Sequence, residues 1–156
     1  MKLNKLAGLG IASIVLLGSV GQLAINTQTA QAQTGQSIRV AAKSKSLIAS
    51  GNFVKAEKAT SGKAKIVNVN GKRYLEFDNA FSTGNGPDLK IILHKNSSIP
   101  LNIKEGNYIT LGRIKSFKGK QRYAIPNNVN LANYKSVGIW CEQFNATFGF
   151  ASLWSA

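Results

Sequence analysis

From Ser50 onward the chain is cut into short runs rich in β-branched and aromatic residues, separated by Gly, Asn, Pro and Ser. Runs of this length, bounded by turn formers, are too short for core helices and fit strands. They are GNFVKAE, AKIVNV, RYLEFD, DLKIILH, YITLGRI, QRYAIP, SVGIWCE and TFGFASLW. Asn70-Gly71 between the second and third predicts a two-residue hairpin, because both residues accept positive φ. In RYLEFD, Leu75 and Phe77 share one face, and Tyr74, Glu76 and Asp78 the other. YITLGRI and QRYAIP are placed to pair across KSFKGK. NLANY offers one short helical turn. The predicted class is all-β: an antiparallel β-sandwich or jelly roll of about eight short strands.

The N-terminus has another texture. A basic start, MKLNK, precedes an uncharged run of Leu, Ile, Val, Gly and Ala, and Ala30-Gln31-Ala32 supplies a small-residue exit. These are the three parts of a secretory signal peptide, expected over residues 1–32. An uncleaved anchor is the alternative; the glycines and the A-x-A site favour cleavage, which would leave no transmembrane anchor. Residues 33–49 are polar and basic and are expected to form a flexible leader to a single domain over residues 50–156. The expected location is secreted or periplasmic.

The formal net charge is +14. An exported basic protein meets little nucleic acid, so anionic surface material or an acidic protein is the expected partner, unless the charge serves solubility alone. Arg113, Lys115, Lys118, Lys120 and Arg122 fall within ten residues and form the candidate basic surface.

One cysteine, one histidine and one methionine exclude several chemistries. A single thiol forbids dithiol exchange within the chain. Met1 would leave with the signal, so a Met/His haem site is excluded. A blue-copper site needs a second histidine. No metal site and no cofactor are expected. His94, at the end of DLKIILHK, is expected to be solvated rather than to act as a base, and no nucleophile elbow accompanies it. Glu76 and Asp78 resemble a glycosidase pair only in spacing, and solvated surface acids are the simpler account. Asn96 and Asn145 head NSS and NAT, the glycosylation sequon.

Cys141 carries the remaining chemistry. Alternation places Val137, Ile139 and Cys141 on one apolar face, which makes the thiol a core residue. An odd cysteine in an exported protein also marks a reactive or intermolecular thiol. Trp140, Phe144 and Phe148 are its sequence neighbours and candidate shields, with the thiol near an open strand end. Trp140 or Tyr134 is a candidate electron relay.

SGNF at 50–53, TSGKAKI, YLEFDNAFSTGNGPDLKIIL, LGRIKSFKGKQRYAIP and YKSVGIWCEQFNATFGFASL follow in an order that resembles the DM-thirteen family, small electron-transfer-type domains often found beside DOMON domains. The resemblance covers Ser50 to Leu153. Its most specific pieces are GPDL, which includes Gly86, Pro87 and Asp88, and SVGIWC with Phe144 following. It implies a β-sandwich and a redox role for Cys141, with electrons exchanged with a separate partner protein. A non-catalytic module docking on anionic material is the competing reading. Either is favoured over a hydrolytic enzyme.

Overall fold

The computed structural model describes residues 44–156. The expected signal peptide and the leader up to residue 43 lie outside the described residues. The strands are β1 (Lys45–Lys55), β2 (Lys63–Val69), β3 (Lys72–Phe77), β4 (Leu89–His94), β5 (Tyr108–Arg113), β6 (Gln121–Ile125), β7 (Ser136–Cys141), β8 (Ala146–Ser152) and β9 (Trp154–Ser155). A 3₁₀ turn, Leu131–Asn133, is where NLANY predicted one. All eight predicted runs form strands. Two boundaries differ. β1 starts at Lys45, so residues 45–49 belong to the first strand rather than to a leader, because they pair with β2. TFGFASLW breaks at Leu153 into β8 and the short β9, which returns to β1.

Every pairing is antiparallel, in the order β5-β4-β7-β8-β1-β2-β3-β6. β1 makes two layers out of this path. Lys45–Asn52 pair with β2, then Phe53–Lys55 pair with β8. Gly51 sits at that crossing, and a Cβ there would lie 1.9 Å from the Ser152 carbonyl oxygen. Only a residue without a side chain lets the backbones approach so closely. The result is an all-β, sandwich-type fold that nearly closes into a barrel.

The expected pairing of YITLGRI with QRYAIP does not occur. β5 pairs with β4 and β6 with β3, so these strands are the two ends of the path. Residues 115–120 cross between the layers instead of turning back. Thr83 N–H donates to Phe117 O, Gly119 N–H donates to Phe81 O, and Lys115 N–H donates to the Tyr123 hydroxyl. These bonds tie the crossing segment to residues 81–83 and to Tyr123 rather than to a hairpin partner. The Asn70-Gly71 turn forms as predicted, with φ of 52° and 80°.

Between the layers, Phe53 and Phe77 meet edge to face at 5.0 Å, and Phe77 packs 4.5 Å from Phe81. Leu75, Leu89, Ile91, Leu93, Val137, Ile139, Cys141 and Phe148 complete this core. The outer side of β4 and β7 carries a second apolar cluster, Ile92, Ile99, Ile103 and Trp140. The segment between β4 and β5 supplies Ile99 and Ile103. β7 is therefore buried on both faces along its whole length.

Candidate functional site

β4 and β7 lie side by side, with Leu89 opposite Cys141 and Lys90 opposite Trp140. Glu142 N–H donates to Asp88 O at 3.0 Å, just past the paired residues. GPDL and SVGIWC are thus neighbours at one end of the molecule, although about fifty residues of chain separate them. Gly86 closes the arrangement: a Cβ there would lie 2.8 Å from Leu89 Cδ2 and 2.9 Å from Phe148 Cζ. The loop Gly86-Pro87-Asp88 packs beside the thiol strand through Leu89 and Phe148.

Cys141 itself has no exposed surface and is a free thiol. It belongs to the inner core with Leu89, Ile139 and Phe148, as alternation along the strand predicted. Phe148 is buried in that cluster. Phe144 is 63 % exposed in the turn after β7, so the expected shielding by Phe144 is corrected. The turn directs its ring to solvent, whereas Leu89 stands opposite Cys141 and Phe148 lies in the same buried cluster.

Charged groups gather outside this strand end. Arg113 Nη2 lies 2.8 Å from Asp88 Oδ1, and Lys90 Nζ bridges Asp88 Oδ1 at 3.3 Å and Glu142 Oε2 at 3.1 Å. Asp88 Oδ1 is occluded and makes no in-line hydrogen bond, so two cations balance it by proximity. Burial pushes the Asp88 pKa up, but Lys90 and Arg113 outweigh it and hold the carboxyl below its usual range. Lys90 is raised above the usual lysine value, chiefly by Glu142, against some burial. Three segments, Asp88-Lys90, Arg113 and Glu142, are tied together at this end of β7, with Lys90 and Arg113 on the same sheet face as Trp140 and opposite the thiol.

Trp140 points to the opposite face and packs 5.1 Å from Tyr108, ring centre to ring centre. Tyr134 packs against the inner core, so the aromatic neighbour of Trp140 is Tyr108 and not Tyr134. Trp140 Nε1 donates to Asn145 Oδ1 at 3.0 Å. Asn145 Oδ1 also accepts from Ile103 N–H, while Asn145 Nδ2 donates to Ile103 O. The sequence marks Asn145 as a sequon, but its amide is consumed by these bonds. It sits at φ 45°, in the left-handed region that asparagine tolerates, and clamps the 95–107 segment to the turn after Cys141.

His94 is also corrected. It is 1 % exposed rather than solvated, and Nδ1 accepts from Asn96 N–H at 3.1 Å. It pairs with Ser136, at the far end of the strands from Cys141. Five residues of strand separate the two, roughly 17 Å, so His94 is no base for the thiol. Among the described residues, no cluster of three or more His, Cys, Asp or Glu is arranged to hold a metal ion.

The five basic residues do not all share one surface: Lys120 and Arg122 line one groove, with Lys115 Nζ donating to Arg122 O, while Arg113 lies elsewhere. Arg113 joins the thiol end through Asp88. Lys115 lies 5.0 Å over the Tyr123 ring. Arg122 lies 4.9 Å over Tyr74 and pairs with Glu76. Lys118 and Lys120 are exposed on the crossing segment. The residues that the sequence reading missed are Lys90, Glu142 and Asn145. Outward alternation from Leu89 marks Lys90, but nothing local marks its partners.

No curated protein and no solved structure matches the chain. The family model described as Electron transfer DM13 matches residues 52–153. That span contains both motifs at the thiol end and every strand from the crossing in β1 to β8. The chain belongs to the DM13 family of electron-transfer domains.

Proposed function

We propose that this domain is an exported electron-transfer module whose redox group is the Cys141 thiol, held dry until the strand end opens. The observation that supports the reading is the meeting of GPDL and SVGIWC, which puts the chain's one thiol at a strand end whose segments are joined by an ion-pair network. A lone thiol carries two electrons. With a hydroperoxide as oxidant, the thiolate attacks the terminal oxygen, the S–O bond forms as the O–O bond breaks, and the alcohol or water leaves with the second proton. A thiol of a partner protein then attacks the sulfenic sulfur, releases water and forms a mixed disulfide. A second partner thiol resolves it and restores Cys141. The partner therefore supplies the two thiols that this chain lacks.

In this reading the turn Glu142–Asn145 moves away from Asp88 to admit the oxidant, which breaks the Lys90–Glu142 pair. The test treats native protein with hydrogen peroxide and a dione that traps sulfenic acid, with the adduct read by mass spectrometry. Slow trapping is expected in the native chain, with faster trapping in Asp88→Asn, which loosens the network. Hydrogen exchange on the same samples reports global unfolding. Trapping at the global unfolding rate in both proteins would remove the thiol role.

A further inference from the structure

On the other layer, the outer face of β2, β3 and β6 holds a groove of about 540 Å³ that the thiol site does not use. Its geometry comes from cross-strand register. Lys65, Glu76 and Arg122 stand directly opposite one another on three adjacent strands. Lys45, on β1, extends across β2 to place Nζ 2.7 Å from Glu76 Oε2. Arg122 Nε donates to the other Glu76 oxygen at 2.9 Å. Lys120 and Asp78 also line it, and Asp78 Oδ1 accepts from Lys63 N–H at 3.1 Å. Glu76 thus holds two cations in place, while Lys65 and Lys120 have no ion-pair partner among the described residues.

We infer that this groove binds an acidic polysaccharide, with the uronate carboxylates on Lys65, Lys120 and Arg122 and sugar hydroxyls on Glu76 and Asp78. Four cations against two carboxylates favour an anion, yet the acids provide the acceptors that hydroxyls need. The volume lies in the range of clefts that hold ligands of a few rings, roughly 300–1,000 Å³. Single-stranded nucleic acid needs free aromatic rings for stacking, and the Tyr74 ring on this face is already covered by Arg122. A membrane needs a flat face with apolar side chains, whereas six of the eight residues lining this concave surface are charged. The inference is independent of the thiol reading, because it uses no residue of β4 or β7.

The test measures binding of the full chain to an oligogalacturonate by calorimetry at about 0.15 M salt, where screening acts beyond about 8 Å. The double variant Lys65→Glu/Lys120→Glu reverses the two unpaired cations. Lys95→Glu/Lys104→Glu applies the same charge change on exposed positions of the segment between β4 and β5. Both pairs are solvent-facing, and unchanged melting curves establish that both variants fold. Weakening of at least about tenfold in the groove variant, with less than about twofold in the control, is the expected result. Equal weakening in both variants means diffuse charge attraction and overturns the groove. Neutral dextran bound as tightly as oligogalacturonate, or duplex DNA or phosphatidylglycerol vesicles bound more tightly with the same groove dependence, overturns the assigned ligand.

Discussion

Replacing the thiol of Cys141 separates a dry, apolar sulfur site from a wet one. The side chain has no exposed surface, its neighbours are Leu89, Ile139 and Phe148, and no hydrogen bond reaches the sulfur among the described residues. Alanine removes an atom of about methyl size, at a cost of about 1 kcal/mol in transfer and void. Serine fills the space better but places a hydroxyl where the strand backbones already pair with each other. An unpartnered buried hydroxyl costs about 1–3 kcal/mol beyond the lost sulfur contacts. Serine is therefore the worse variant, at about 2–4 kcal/mol in all. For a domain of this size, 1 kcal/mol corresponds to roughly 3–6 °C in Tm. Thermal unfolding followed by circular dichroism, in reductant at neutral pH, should show a drop of about 3–6 °C for Cys141→Ala and at least twice that for Cys141→Ser. Serine equal to or better than alanine refutes the packing argument, because the site must then offer a hydrogen-bond partner or water. Serine worse than alanine, combined with no sulfenic trapping in the native chain, leaves Cys141 as core filler alone.

Asn145→Ala should cost about 2–3 kcal/mol by leaving Trp140 Nε1 and Ile103 N–H without their acceptor, read as a lower denaturant midpoint and a red-shifted tryptophan emission. Asn145→Gly suits the positive φ equally well, so a Gly variant as stable as the native chain would show that the bonds contribute nothing. Gly51→Ala should prevent the crossing of β1, since the added carbon meets a backbone oxygen that cannot rotate away; a soluble variant with a native circular dichroism spectrum would count against that packing. Burial holds the pKa of His94 below 6.5, so the unfolded chain takes up a proton first as pH falls. Stability from His94 is complete above about pH 6.5 and declines below it, whereas Asp88 and Glu76, both held below the usual carboxylate range, lose theirs only below about pH 4. A Tm that falls between about pH 7 and pH 5 in the native chain but not in His94→Asn is the expected pattern, and equal slopes would place the titration elsewhere.

The strands, the Asn70-Gly71 hairpin and the inward direction of Cys141 were legible in the sequence because each depends on neighbours within a few residues. Alternation, turn chemistry and β-branching act at that range. The family resemblance was legible for the same reason, since it rests on short runs in a recognisable order. Which strands share an edge was not. KSFKGK has a hairpin's length and composition, yet its backbone groups bond to Phe81 and Thr83, about thirty-five residues away in the chain. His94 looked solvated because it ends its run, yet β4 is an inner strand paired with both β5 and β7, and Asn96 N–H donates to its Nδ1. The Asp88–Lys90–Arg113–Glu142 network and the Lys45–Glu76–Arg122 row each gather residues from three strands or their ends. Charged side chains carry no periodic signal that names a partner, so only the tertiary register brings these groups within ion-pair distance. Local rules set which residues face inward; the path of the sheet around β1 decided which charges meet.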